Sequence, residues 1–67
     1  MDIYEKLDFY RKRAGLTNQQ MAHKLGYAYD SGYRMVICRK SHISLNTLKK
    51  MIDILSLSDE EILDLFK

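Results

Sequence analysis

The stretch YRKRAGLTNQQMAHKLG, residues 10–26, decides how the rest of the chain reads. It closes one helical segment with three basic residues, turns at Gly15, and opens a second segment at Thr17. Thr17 with Gln20 three residues on has the spacing of a capping box, in which each side chain satisfies the other residue's backbone N–H. Leu16 just before the cap and Met21 can staple across it. Met21, Ala22 and Leu25 then share one face. Gly15 and Gly26 each stand just past a helical run, where a left-handed backbone is needed.

The same periodicity continues outward. From about Asp2 to Ala14, the residues Ile3, Leu7, Tyr10 and Ala14 recur at steps of four, three and four, giving one apolar stripe. Asp2 and Glu5 at its start and Arg11, Lys12 and Arg13 at its end suit the helix dipole. On the other side, SLNTLKKMIDILS reads as a helix capped by Ser44, with Leu45, Leu48, Met51, Ile52 and Leu55 as its buried stripe. SDEEILDLFK reads as a short last helix with a second capping box, Ser58 and Glu61. Ile62, Leu63, Leu65 and Phe66 leave this helix apolar on more than one side. The chain has no proline, no persistent strand-like alternation and no hairpin signal.

YAYDSGYRMVICRK, residues 27–40, is harder to read. Val36 and Ile37 look toward a core, with Tyr33 or Tyr29 packing one turn earlier. Glycine costs about 1 kcal/mol inside a helix and less at an end. A helix here therefore starts late, with Asp30 as N-cap and Ser31 and Gly32 in the first turn. The expected architecture is all-α: five short helices in a single domain spanning residues 1–67.

Size and composition bound the function. A chain of 67 residues buries only ~60% of the surface that it exposes when unfolded, so a second subunit is the expected source of extra stability. Cys38 is the lone cysteine, which excludes an intrachain disulfide and suits a reducing compartment. Cys38, His23 and His42 match no zinc pattern, so no metal and no cofactor are expected. No apolar run reaches the ~18 residues that span a bilayer, and the start has no signal-peptide pattern. The net charge of +2 is unevenly spread: residues 1–50 carry +6 and residues 51–67 carry −4. A basic body with an acidic tail suits one face turned toward a polyanion, although ordinary solvated charges give the same count.

On these residues the chain resembles the Cro/repressor-type helix-turn-helix family (XRE-like, lambda-repressor-like). YRKRAGLTNQQMAHKLG is similar to the family pattern L-R-x-x-x-G-L-T-Q-x-x-L-A-x-x-L-G, and SLNTLKKMIDIL to S-L-x-T-L-x-x-I-A-x-x-L. The resemblance covers nearly the whole chain. It implies a compact five-helix domain that binds double-stranded DNA, with the segment after Gly26 as recognition helix. The middle departs from the pattern: one extra residue lies in the turn between Tyr27 and Gly32. Ile37 stands where the family carries a glutamate that pairs with the arginine matched by Arg11. Arg11 is then left to reach phosphate or Asp30. Arg39 replaces the usual glycine after the recognition helix.

A recognition helix enters the major groove led by its N-terminal residues. That geometry assigns base contacts to Ser31, Arg34 and Met35. Arg34 is able to pair with a guanine edge, and a solvated arginine is the competing reading. Asn18 matches the family's phosphate-binding glutamine at the start of the second helix. Gln19, Tyr29, Arg39, Lys40 and Arg11 are further backbone contacts, which set affinity and salt dependence rather than sequence choice. Leu57, Ile62, Leu65 and Phe66 are left over for a homodimer interface. Cys38 reads as a small buried residue, or else as a redox sensor. No catalytic constellation or phosphate loop is visible, so no enzyme and no small-molecule substrate are expected. The resulting expectation is a cytoplasmic, sequence-specific regulator, a repressor of the kind found in phages and mobile elements of bacteria. The alternative is a protein-interaction module of the same fold, such as an antirepressor, an antitoxin-like partner or an inhibitor of a host protein, that does not bind DNA.

Overall fold

Most helices in this chain start and stop by one repeated device, a polar side chain at the front and a left-handed residue behind. The computed structural model describes residues 2–39 and 42–67. Among them are five α-helices and no strand: α1 (Ile3–Arg13), α2 (Asn18–Leu25), α3 (Asp30–Cys38), α4 (Leu45–Leu55) and α5 (Asp59–Leu65). Asp2, Thr17, Ser44 and Ser58 cap α1, α2, α4 and α5, each accepting from the amide three residues on. The reciprocal half of the capping box is present at both expected places: Gln20 accepts from the Thr17 N–H at 2.9 Å and Glu61 from the Ser58 N–H at 2.9 Å.

At the rear ends, Gly15 (φ +77°), Gly26 (φ +93°) and Ser56 (φ +51°) are left-handed. The amide after each one reaches back five residues, Leu16 to Arg11, Tyr27 to Ala22 and Leu57 to Ile52. This satisfies carbonyls that would otherwise lack a partner at the helix end. The glycines were expected at two of these ends. Ser56 takes the same conformation with a side chain, against its steric preference.

α3 departs from the expected start. Its N-cap is Tyr29, which makes no side-chain capping bond, and Asp30 is already the first helical residue. Asp30 therefore acts on the helix dipole from the first turn and is not the cap. Gly32 is required there for a packing reason. A Cβ at this position would lie 2.7 Å from Cγ of Tyr27 and 3.0 Å from its Cβ. That is the near, immobile end of the ring, so any side chain would push α3 off the turn.

The core is built from Leu7 and Tyr10 of α1, Met21, Ala22 and Leu25 of α2, Tyr33 of α3, Met51 and Leu55 of α4, and Leu65 of α5. Ile37, Leu48, Ile52 and Leu57 pack around it, half-buried. α2 and α3 lie against each other, and α1 contacts α3, α4 and α5. The Cα radius of gyration is 10.9 Å, the ~11 Å expected of a close-packed chain of this length. Four expectations are corrected. Ala14 is exposed, because the stripe of α1 ends at Tyr10. Leu45 is 67% exposed, because α4 begins beyond the core's edge. Cys38 is exposed on the outer side of α3. Leu65 is 2% exposed within the chain's own core, so it is not an interface residue.

Charges join the last helix to the first. Arg13 of α1 pairs with Glu61. The Tyr10 hydroxyl donates to Asp64 Oδ2 at 3.2 Å, and Lys6 donates to the Asp64 carbonyl. Hydrogen bonds from Arg13 and from the Ser58 amide draw the Glu61 carboxyl from 4.5 down to about 2. A carboxyl whose folded pKa is depressed adds stability above its unfolded pKa and loses it as pH falls through the folded value. The thermal midpoint of the chain is therefore expected to fall between pH 4.5 and pH 2 more steeply than that of Glu61→Gln, which keeps the capping box. Thermal melts followed by circular dichroism check this, and parallel curves would remove the pair from the account.

Candidate nucleic-acid interface

α3 is amphipathic, and its two faces have different fates. Tyr33 turns inward at 1% exposure. Ser31, Arg34, Met35, Cys38 and Arg39 fall at helical spacing on the other side and line one shallow groove. The three residues assigned to base contact thus share one exposed face. Arg34 has a side chain 60% exposed and a long 3.9 Å contact to Asp30. A contact of that length on an exposed pair holds the guanidinium weakly, leaving it able to reorient toward a ligand.

The start of α2 lies beside this face. Asn18, Arg34 and Lys12 line one small cleft, together with Asp8, Arg11, Tyr33, Ile37 and Cys38. A larger cleft of about 400 Å³ on the other side of the α2 start holds Gln19, His23, Tyr27, Tyr29 and Asp30. Asn18 and Arg34, from two helices, are thus neighbours, and so are Gln19 and Tyr29. Helix N-termini favour anions through free amides and dipole. Here that end carries Asn18 and Gln19 and stands next to two basic side chains. Lys12 was not singled out in the sequence. Its position one residue after Arg11 in a basic triplet conceals that its side chain points around the helix to the α3 side, 68% exposed.

Arg11 behaves differently from expectation. It is 7% exposed and does not pair with Asp30. Its Nε donates to Asp8 Oδ1 at 3.0 Å, its guanidinium also donates to the Leu16 carbonyl, and it lies 5.9 Å from the Tyr33 ring centroid. These partners use it inside the fold, which corrects its assignment as a phosphate contact. The Tyr33 hydroxyl donates to the same Asp8 oxygen at 3.1 Å, and Lys12 approaches the other at 3.4 Å. Burial raises the Asp8 pKa, but the hydrogen bond and charge of Arg11, with help from Tyr33 and Lys12, outweigh it and hold the carboxyl below its ordinary 3.8. Burial pushes the Tyr33 hydroxyl pKa well up, and the neighbouring Asp8 charge adds to this. The site therefore contains an ionised Asp8 and a neutral phenol. Asp8 was legible as a partner for Arg11, since three residues apart on a helix is a pairing distance.

Arg39 ends α3 on its exposed face. Lys40 lies outside the described residues. Of the residues expected to join two copies, Phe66 is 64% exposed, and Leu57 and Ile62 are half-buried. Leu63, 65% exposed, adds to them. Among the described residues, no group of three or more His, Cys, Asp or Glu side chains is placed to hold a metal ion. No helix among the described residues is long and apolar enough to cross a membrane. No protein-family model, curated protein or solved structure matches the chain.

Proposed function

We propose that this chain is a sequence-specific DNA-binding regulator of the lambda-repressor-like helix-turn-helix class, acting as a repressor on an operator that it occupies as a homodimer. One observation carries the reading: Ser31, Arg34 and Met35 form an exposed stripe on a helix whose neighbour across the Gly26 turn brings Asn18 beside Arg34. A major groove admits an α-helix, so such a stripe would be presented to base edges. Asn18, Gln19, Tyr29, Lys12 and Arg39 flank it where phosphates would run. The exposed Leu63 and Phe66, and to a lesser extent the half-buried Leu57 and Ile62, would supply the surface for a second copy. Two copies would read half-sites ~34 Å apart.

A gel shift on the DNA flanking the coding region tests this. Specific binding is expected, weakening steeply with added salt as counterions compete for the phosphates. Arg34→Ala is expected to lose about 5- to 150-fold in affinity for the preferred sequence, the effect of one bidentate base contact of ~1–3 kcal/mol. Absence of any shift at low salt would overturn the reading. It would favour a protein-interaction module instead, a role that the acidic Asp30 at the head of α3 also suits.

A further inference from the structure

Tyr33 and Arg34 are successive residues with opposite surroundings, one 1% exposed and the other with a side chain 60% exposed. Successive residues on a helix are ~100° apart. Whatever fixes the direction of Tyr33 therefore fixes where Ser31, Arg34 and Met35 point. The Tyr33 ring sits in the apolar core. Apolar contact resists withdrawal of the ring but is non-directional. The hydroxyl is directional: it donates to Asp8 Oδ1 at 3.1 Å. Asp8 is itself held by Arg11 at 3.0 Å and Lys12 at 3.4 Å, and Arg11 is tied to the Leu16 carbonyl. The rotation of α3 is thus referenced to α1 and to the connection after it. At the front end of α3, Tyr29 caps without a side-chain bond, and the close seat of Gly32 on the Tyr27 ring fixes how near α3 lies to the turn but supplies no hydrogen bond from a side chain.

We propose that Tyr33 is a positioning residue for sequence recognition: its hydroxyl, held by Asp8, sets the rotation of α3 and so the placement of Ser31, Arg34 and Met35 against base edges. This rests on the DNA-binding reading above. A helix with its side chains has a radius of ~5–6 Å, so a rotation of about 10° moves a side-chain tip by ~1 Å. A recognition contact tolerates roughly 0.5 Å. Phosphate contacts do not read sequence, and those made through long lysine and arginine side chains absorb such a shift. The loss then falls on discrimination between sequences and spares non-specific affinity.

Tyr33→Phe keeps the ring and removes the directional bond. Its ratio of operator to non-specific affinity, at fixed salt, is expected to fall about 10-fold, the size of one good base contact, with non-specific affinity within about twofold of the original. Asp8→Asn still offers an oxygen to the hydroxyl and is expected to retain most of the ratio. Residual dipolar couplings, measured without DNA, report the orientation of α3 relative to α1, including its rotation about its own axis. They are expected to change in Tyr33→Phe by several degrees and to stay near the original in Asp8→Asn. A merely structural role would lower the melting temperature and leave both the ratio and the couplings alone, and that result overturns the proposal. If the unmodified chain binds no DNA at low salt, the DNA-binding reading itself fails. The couplings then still decide whether Tyr33 sets the helix rotation.

Discussion

Leu65→Ala is expected to destabilise the folded chain by about 2–4 kcal/mol, with a loss that does not depend on protein concentration. Leu65 is 2% exposed in the last turn of α5 and belongs to the central cluster with Leu7, Met51 and Leu55. Truncating a buried leucine removes its transfer free energy and leaves a cavity that the surroundings fill only partly. A chain of this length has a total stability of only ~3–10 kcal/mol, so the variant sits close to its unfolding threshold. Phe66→Ala, at a position 64% exposed, is expected to change monomer stability by no more than about 0.5 kcal/mol. Urea melts at several protein concentrations separate the two roles. A midpoint for Leu65→Ala that rises with concentration would return this residue to a contact between copies.

Asp8→Ala is the second large effect, expected to cost about 3 kcal/mol. Its carboxylate is the shared acceptor for Arg11 and Tyr33. Removing it strands a guanidinium whose side chain is 9% exposed and a phenol that is 1% exposed. Breaking one partner of a buried pair costs about 3–5 kcal/mol, because the remaining charge keeps its desolvation penalty. Asp8 is itself about a quarter exposed, which sets the expected loss at the low end. Lys12→Ala, on the open side of the same carboxylate, is expected to cost less than about 0.5 kcal/mol. Urea denaturation at neutral pH checks both. A cost below about 1 kcal/mol for Asp8→Ala would mean that water satisfies Arg11 once the carboxylate is gone.

The candidate interface takes from the clearest sequence features only the capped start of α2 and the Gly26 turn; the rest depends on how α3 packs. The capping boxes at Thr17 and Ser58 and the left-handed turns at Gly15 and Gly26 were legible because each is complete within about five residues. The start of α3 was misread by one residue because its N-cap, Tyr29, is a residue type with no capping preference. The tight seat of Gly32 depends on the Tyr27 ring, and no propensity encodes that contact. Arg11, which lacks the family's glutamate at position 37, was expected to reach phosphate or Asp30, whereas its partner Asp8 stands one turn away on the same helix.

What the sequence alone determined is the set of five helices, most of their ends, the start of α3 excepted, and the side of α2 that faces inward. All of these follow from hydrogen bonds and apolar spacing within a turn or two of chain. What only the tertiary structure decided is the allocation of ambiguous residues between interior and surface. Leu65 went inside while Leu63 and Phe66 stayed out, Arg11 was buried, Cys38 was exposed, and Tyr33 rather than Tyr29 became the anchor of α3. A short helix that is apolar on more than one side, or that carries tyrosines four residues apart, has several rotations of similar local free energy. The choice among them is made by neighbours distant in sequence, through the apolar area each rotation buries and the polar groups it leaves paired.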